Sequence, residues 1–373
     1  MIKSLEIENF RCFGKSKLSG FARVNLIGGQ NNSGKTAFLE ALYLNRSPRA
    51  ATVMKMRGIS QESIKSFPER AWNGLFLNND TKISGAIVSI EDNNNTIRLH
   101  LSYRHSSQPE IIQEYDVGFY ITDTLREIHQ IGSHCAVSEN FILELSYLLN
   151  DQPLPSVLAL MASIDNDGKI IKLGKKLPNG ELKFQSISFI SATEKASNRY
   201  LAEQYDKCYM QGYSDKVLDA FHIIDPSVVE IRTLMSGEPT VYLSRAKQRP
   251  MSLALFGDAM NRVAHVVLEL LNNQSSILLI DEIENGLHHT HQKQLWQWLF
   301  ALAVEFDVQI FATTHSLEML TAFKEAAMGT QYESEVAYFE FARHVKTGEI
   351  IAVERDIDNL DYALERHKEV RGG

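Results

Sequence analysis

Eight residues near the start of the chain, GQNNSGKT, constrain it more than any other stretch: Gly29, Gln30, Asn31, Asn32, Ser33, Gly34, Lys35 and Thr36. They match G-x-x-x-x-G-K-[ST] in full. The apolar residues Val24, Leu26 and Ile27 precede them, and Phe38, Leu39, Leu42 and Tyr43 follow at helical spacing over 35–44. Strand, glycine loop and helix in that order make a cradle for a polyphosphate. Glycines let the backbone wrap closely and turn its N–H groups inward, and the helix N-terminus adds partial positive charge. On this reading Lys35 supplies a point charge to the β- and γ-phosphates, and the Thr36 hydroxyl holds Mg²⁺.

A cradle alone hydrolyses nothing, so a carboxylate-bearing strand is needed. ILLIDE supplies it: Ile277 to Ile280 form a continuous apolar run suited to a buried parallel strand, which delivers Asp281 and Glu282 at its C-terminal end. Asp281 is then the expected Mg²⁺ partner. Glu282 is placed to orient or deprotonate an attacking water.

The 373 residues suffice for two or three structural units, and 44% hydrophobic with 23% charged residues describes a folded chain. With 38 basic against 46 acidic side chains, the protein is not expected to coat nucleic acid over its whole surface. Residues 1–70 nevertheless carry 12 basic and 5 acidic groups, a local basic island. Cys12, Cys135 and Cys208 are widely spaced and lack a CxxC pair, which argues against a disulfide framework or zinc site and suits a reducing cytoplasm. The N-terminus has no long apolar stretch and no run of 18 apolar residues occurs, so neither secretion nor a membrane span is expected.

Strands are expected at 85–90 and 96–103, a helix at 142–149 (ILELSYLL), and a hairpin around the PNG turn at 178–180. Beyond 240 the pattern alternates helix and strand: helices at 259–272, 290–305 and from Leu317, strands at 277–280 and 308–313, then two strands near 335–342 and 348–354 and a last short helix. That half reads as α/β with a parallel sheet. No heptad pattern persists, so a long coiled coil is excluded.

ENGLH follows ILLIDE directly, QIFATTHS (309–316) brings His315 to a strand end, and IKSLEIENFRCF precedes the glycine loop. These features resemble the nucleotide-binding heads of the ABC ATPase superfamily, in particular its soluble branch of SMC, RecF and overcoming-lysogenization-defect (OLD) proteins. The likeness covers about 1–45 and 240–373. It implies an α/β fold with a P-loop parallel sheet flanked by helices and an antiparallel β lobe. The ~240 residues between the two motifs require a mixed α+β insertion. The expected division is an N-terminal lobe at 1–104, the insertion at 105–240 and a C-terminal lobe at 241–373.

The same resemblance implies ATP and Mg²⁺ as cofactors and roles for further residues. Asn285-Gly286-Leu287-His288 falls at the D-loop, which contacts an opposite subunit, and His315 at the switch histidine, which senses the γ-phosphate. Gly257 and Asp258, in FGD ahead of Asp281, fall at the signature motif. No serine precedes Gly257, so the motif is closer to the GDG type of OLD-like ATPases than to LSGGQ, and the Gly257 backbone at the helix start is the expected donor. Two chains would then bind two ATP molecules head-to-tail, with higher assembly open. No glutamine is assigned to the Q-loop, for which FISATEKASNR (189–199) is the candidate region, and Arg11 is expected to approach the nucleotide.

Three other features have competing readings. His288, His289 and His291 fit a D-loop or solvated loop better than a metal site, because adjacent histidines rarely converge on one ion. Arg46, Arg49, Lys55 and Arg57 could meet nucleic-acid phosphates or form a solvated basic loop. Trp296 and Trp298 suit packing rather than base stacking.

Only 58 residues follow His315, too few for the Toprim nuclease domain of OLD nucleases. The expected function is therefore a stand-alone OLD/AAA15-type ATPase, a nucleotide-gated dimeric sensor in anti-phage defence whose effector is a separate nuclease or toxin. The main rival is a RecF-like repair ATPase that binds DNA directly. An importer's ATPase subunit and a binding module with structural ATP are weaker alternatives.

Overall fold

Two sheets meet across the helix that follows the glycine loop. The computed structural model describes residues 1–47, 50–56, 58–59, 66–107, 137–165, 173–174 and 185–355. The first sheet is antiparallel. It comprises β1 (Ile2–Phe10), β2 (Phe13–Ser19), β4 (Gly85–Glu91), β5 (Thr96–Ser106), β6 (Val137–Leu149), β7 (Gln152–Asp165) and β8 (Leu173–Gly174), in the order β2-β1-β4-β5-β6-β7-β8. The second sheet contains β3 (Val24–Gly29), β9 (Ile187–Ile190), β13 (Ile277–Ile280), β14 (Gln309–Thr313), β15 (Val336–Arg343) and β16 (Ile350–Arg355), in the order β16-β15-β3-β14-β13-β9. All its pairings are parallel except β15 with β16. A small third sheet joins β10 (Val228–Ser236), β11 (Glu238–Arg245) and β12 (Met251–Ser252).

The helix α1 (Lys35–Arg46) lies between the two large sheets. Its Phe38, Leu39 and Leu42 share one core with Ile2, Leu5 and Ile7 of β1 and with Leu279 and Phe311 of the parallel sheet. Phe21, Phe38, Phe311 and Phe341 pack here with tilted or edge-on rings, an arrangement that adds to plain apolar burial. The C-terminal turn of α1 is tied to the antiparallel sheet by polar bonds: Asn45 Nδ2 donates to Ile87 O at 3.0 Å, and Tyr147 OH donates to Leu44 O at 2.8 Å. Burial drives the Tyr147 phenol pKa well up, so this donor stays protonated.

The opposite face of the parallel sheet is covered by α3 (Asn198–Met210), α4 (Ser214–His222), α5 (Gly257–Asn272), α6 (His289–Glu305) and α7 (Leu317–Ala327), whose apolar stripes form the second core. Another short helix, α2 (Ala50–Met54), follows α1. In α6, Trp296 is fully buried against Phe300 and Phe323 and donates its indole N–H to Met319 Sδ at 3.0 Å, while Trp298 packs partly buried on the same core. Among the described residues no helix is long and apolar enough to cross a membrane.

Every residue of β3, β13 and β14 is buried, so these strands are covered on both faces and do not alternate between apolar and polar, and β13 is apolar throughout. The opposite logic corrects the expectation at 142–149. That stretch is not a helix but the second half of β6, paired antiparallel with β5 and β7. Leu143, Leu145 and Tyr147 are buried while Glu144, Ser146 and Leu148 are less so, a period of two that a helix reading overlooks when both phases carry leucines. The strand β9 falls inside the 105–240 segment yet forms an edge of the parallel sheet beside β13. The PNG turn at 178–180 and the last short helix lie outside the described residues.

Candidate nucleotide site

The ends of β3, β14 and β13 lie side by side, with β14 between the other two, so their following loops share one edge of the sheet. This is the carboxyl edge, where open α/β sheets bind ligands. Gly29 ends β3 at φ +142°, and a Cβ there would stand 2.2 Å from Phe341 O, so no other residue fits without moving the backbone. The loop then exposes Gln30, Asn31 and Asn32 and buries Ser33. The Ser33 hydroxyl has no partner among the described residues, which suits a loop whose polar complement is a ligand.

Lys35, the first residue of α1, is 7% exposed and donates from Nζ to Gly29 O at 2.7 Å and Gln30 O at 2.8 Å. Burial pulls its pKa below the usual lysine value, opposed by the carboxylates of Glu284, Asp281 and Glu282. Thr36 and Asp281 meet although 245 positions separate them: Thr36 Oγ1 donates to the carboxylate, 3.0 Å from each oxygen. Asp281 is 1% exposed. The sequence expectation that the glycine loop and ILLIDE converge therefore corresponds to a direct side-chain contact.

Thr313, at the end of β14, was not singled out from the sequence. Its hydroxyl donates to Asp281 Oδ1 at 2.7 Å and accepts from the Glu282 N–H at 2.8 Å. Glu282 adopts φ +49°, uncommon outside glycine, and this bond helps hold it there. Arg262 of α5 reaches the same turn, donating to Asp281 O at 2.6 Å and Ser191 O at 2.9 Å. Burial lowers the Arg262 pKa, with Asp281, Glu284 and Glu282 opposing, which leaves a cation still charged at neutral pH.

His315 sits just beyond β14, about two-fifths exposed. Its backbone N–H donates to Glu284 Oε1 at 2.8 Å, and Nδ1 lies 2.9 Å from that oxygen without hydrogen-bond alignment. Glu284 was also missed. The signals are present in both cases, as the hydroxyl two positions before His315 and the third acid of DEIE, but their meaning depends on a contact across strands.

Gly257 and Asp258 open α5, with Gly257 at φ +86° and open space where a Cβ would stand. Asp258 pairs with Lys195 at 2.7 Å and lies against Gly286, whose own Cβ would come within 3.2 Å of the Asp258 carbonyl carbon. The segments expected to serve as signature and D-loop are thus in contact within one chain. Arg11 is engaged by α1, with Nε 2.8 Å from Glu40 Oε2 and Nη1 donating to Gly74 O at 2.8 Å.

Of the basic cluster, Arg46 is buried, ion-paired with Glu91 and bonded to Ser89 Oγ at 3.0 Å, so it is structural and unavailable to phosphates. Lys55 is exposed, whereas Arg49 and Arg57 lie outside the described residues. The ring centroids of His288 and His289 lie 4.2 Å apart with the planes tilted by 39°, and among the described residues no group of three His, Cys, Asp or Glu side chains could hold a metal.

A hard cation that keeps several waters and takes its remaining oxygens from phosphate needs only one or two protein ligands. The Thr36 hydroxyl and the Asp281 carboxylate fit Mg²⁺ in that role. The parallel sheet, the glycine loop and the acidic strand end together define a P-loop ATPase of the SMC/RecF-like ABC kind. Residues 1–225 match the family model described as an AAA ATPase domain (AAA_15), and the chain belongs to that family. Residues 161–321 match a second model, described as AAA domain, putative AbiEii toxin, Type IV TA system.

The chain is 24% identical over 405 residues to an ATP/GTP phosphatase of Helicobacter pylori, covering 100% of both. It is 21% identical over 362 residues to the DNA replication and repair protein RecF of Streptococcus pneumoniae, covering 87% of this chain and 95% of that one. Among solved structures, the SMC head domain from Thermotoga maritima aligns with a TM-score of 0.48 at 14% identity, over 95% of this chain and 98% of that one.

Proposed function

We propose that this ATPase is a Mg²⁺-dependent, nucleotide-gated switch that works as a head-to-tail pair of identical chains. The observation that carries the reading is the Thr36–Asp281 contact, which joins the cradle to the acidic strand end. Residues Gly29 to Thr36 bind the triphosphate, and Lys35 gives up its bonds to Gly29 O and Gln30 O to meet the β- and γ-phosphates. Thr36 and Asp281 hold Mg²⁺, which when bound neutralises phosphate charge. Glu282 orients and deprotonates the attacking water, and His315 senses the γ-phosphate. Gly257 and Asp258 cover the partner copy's nucleotide from the start of α5.

On this reading the lobes 1–104 and 241–373 carry the nucleotide site, and the 105–240 segment or the basic island of residues 1–70 recognises a partner. The protein acts in the cytoplasm in anti-phage defence, gating a separate nuclease or toxin. The description of the model matching 161–321, a putative toxin of a Type IV TA system, supports a toxin–antitoxin setting. A second reading, a RecF-like ATPase that binds DNA directly, draws equal support from the likeness to RecF over 87% of the chain.

One experiment separates them. Glu282→Gln protein with Mg-ATP is expected to double its mass by light scattering while losing steady-state turnover. A monomer under those conditions contradicts the paired mechanism. ATP-dependent DNA binding by the protein alone, weakening steeply with salt, favours the RecF-like reading, and its absence at low salt removes it.

A further inference from the structure

Asn285 has a contact within its own chain that a D-loop role toward another subunit does not require. Its Nδ2 donates to Glu282 Oε2 at 3.0 Å and to Ala192 O at 3.3 Å. Among the described residues it is the one donor to that carboxylate. Both neighbours are acceptors only, so the amide must present its nitrogen and the orientation is not open to a flip. The backbone supports the same geometry. Asn285 N–H donates to Glu282 O at 3.0 Å, which folds 282–285 into a tight turn. The main chain of Glu282 is meanwhile held by Thr313 Oγ1 at its N–H and approached by Arg262 at its carbonyl.

We propose that Asn285 is a positioning residue for hydrolysis: its amide fixes the direction of the Glu282 carboxylate and moors it to Ala192, in the loop that follows β9. The inference rests on Glu282 acting on the attacking water. A free glutamate head rotates among several orientations, and only some direct a lone pair at that water. A single charge-assisted hydrogen bond from a donor anchored at both ends selects one of them. Because Arg262 binds Ser191 O and Asp281 O, the β9 exit and the Asp281–Glu282 turn are held to the same helix. The mooring point therefore stays in register with the carboxylate.

The test compares Asn285→Ala, Asn285→Asp and Glu282→Gln, each alone, with the double variant Glu282→Gln/Asn285→Ala, in single-turnover ATP hydrolysis and nucleotide binding. Asn285→Ala should lower the rate on the order of 10- to 100-fold, the range for a reacting group misplaced by about an ångström, with ATP affinity within about twofold of wild type. Asn285→Asp keeps the shape but sets a carboxylate against two acceptors, so it should be as slow as the alanine variant. The double variant should match Glu282→Gln alone, since there is then no carboxylate left to position. Wild-type rates in both single Asn285 variants would overturn the proposal. So would a double variant slowed further by the full Asn285→Ala factor, which would mean that Asn285 acts elsewhere. A Glu282→Gln protein hydrolysing at the wild-type rate would instead remove the assigned role of Glu282 itself.

Discussion

Replacing Thr313 by valine removes one hydroxyl and almost no volume, and that hydroxyl serves two buried groups. It donates to Asp281 Oδ1 at 2.7 Å and accepts from Glu282 N–H at 2.8 Å. A hydrogen bond to a charged group contributes about 1.5–3 kcal/mol, and a buried N–H left without a partner costs about 1–3 kcal/mol. The two losses share one atom and Asp281 keeps its contact with Thr36, so the sum is not additive, and about 2–4 kcal/mol is expected. At about 1.4 kcal/mol per tenfold change, 3 kcal/mol lowers the folded-to-unfolded ratio by about two orders of magnitude. Thr313→Ser keeps the hydroxyl and loses only a methyl, a change of about 1 kcal/mol or less. Urea unfolding of the three proteins measures this as a fall in midpoint at constant slope. A valine variant within about 0.5 kcal/mol of wild type would refute the reasoning, as would a serine variant equally destabilised, since the hydroxyl could then not be the cause.

Gly286 sits at φ +78° with the Asp258 carbonyl carbon 3.2 Å from where a Cβ would be. Gly286→Ala should therefore cost about 1–3 kcal/mol in stability and slow turnover by displacing the loop that carries Asn285, as thermal unfolding and phosphate release would show. Cys208 is fully buried, and burial drives its thiol up to about 12. It should resist iodoacetamide at neutral pH while the fold is intact and react once the protein is unfolded, as read by peptide mass spectrometry. Because the folded value lies above the unfolded one, this thiol's contribution to stability is full below pH 9.0 and is lost between there and about pH 12.

What could be read from the chain alone was whatever its local order encodes. GQNNSGKT and ILLIDE announce their chemistry because the spacing of glycine, lysine and hydroxyl, or of an apolar run and two acids, is itself the structural requirement. The residues that organise the site around them depend on contacts the order does not encode. Thr313 matters through an oxygen 32 positions away, and Glu284 through a histidine 31 positions away. Asn285 invited a D-loop reading, whereas its contact within the chain came into view only with the turn at Glu282. Arg46 reads from the sequence as a cation for nucleic-acid phosphates or for a solvated loop, yet Glu91 and Ser89 on β4 draw it into the interior. The misread stretch at 142–149 has the same origin. Leucines in both phases left its period ambiguous, and pairing with β5 and β7 decided it.

The central claim, that the lysine-bearing loop and the acidic strand end serve one metal-bound triphosphate, is tested most directly by a crystal structure of the Glu282→Gln protein with Mg-ATP. The account predicts a cation coordinated by Thr36 Oγ1, with Asp281 bound to it directly or through one of its waters, and Lys35 Nζ on the β- and γ-phosphates. A nucleotide whose phosphates and metal lie away from Lys35, Thr36 and Asp281 would contradict it.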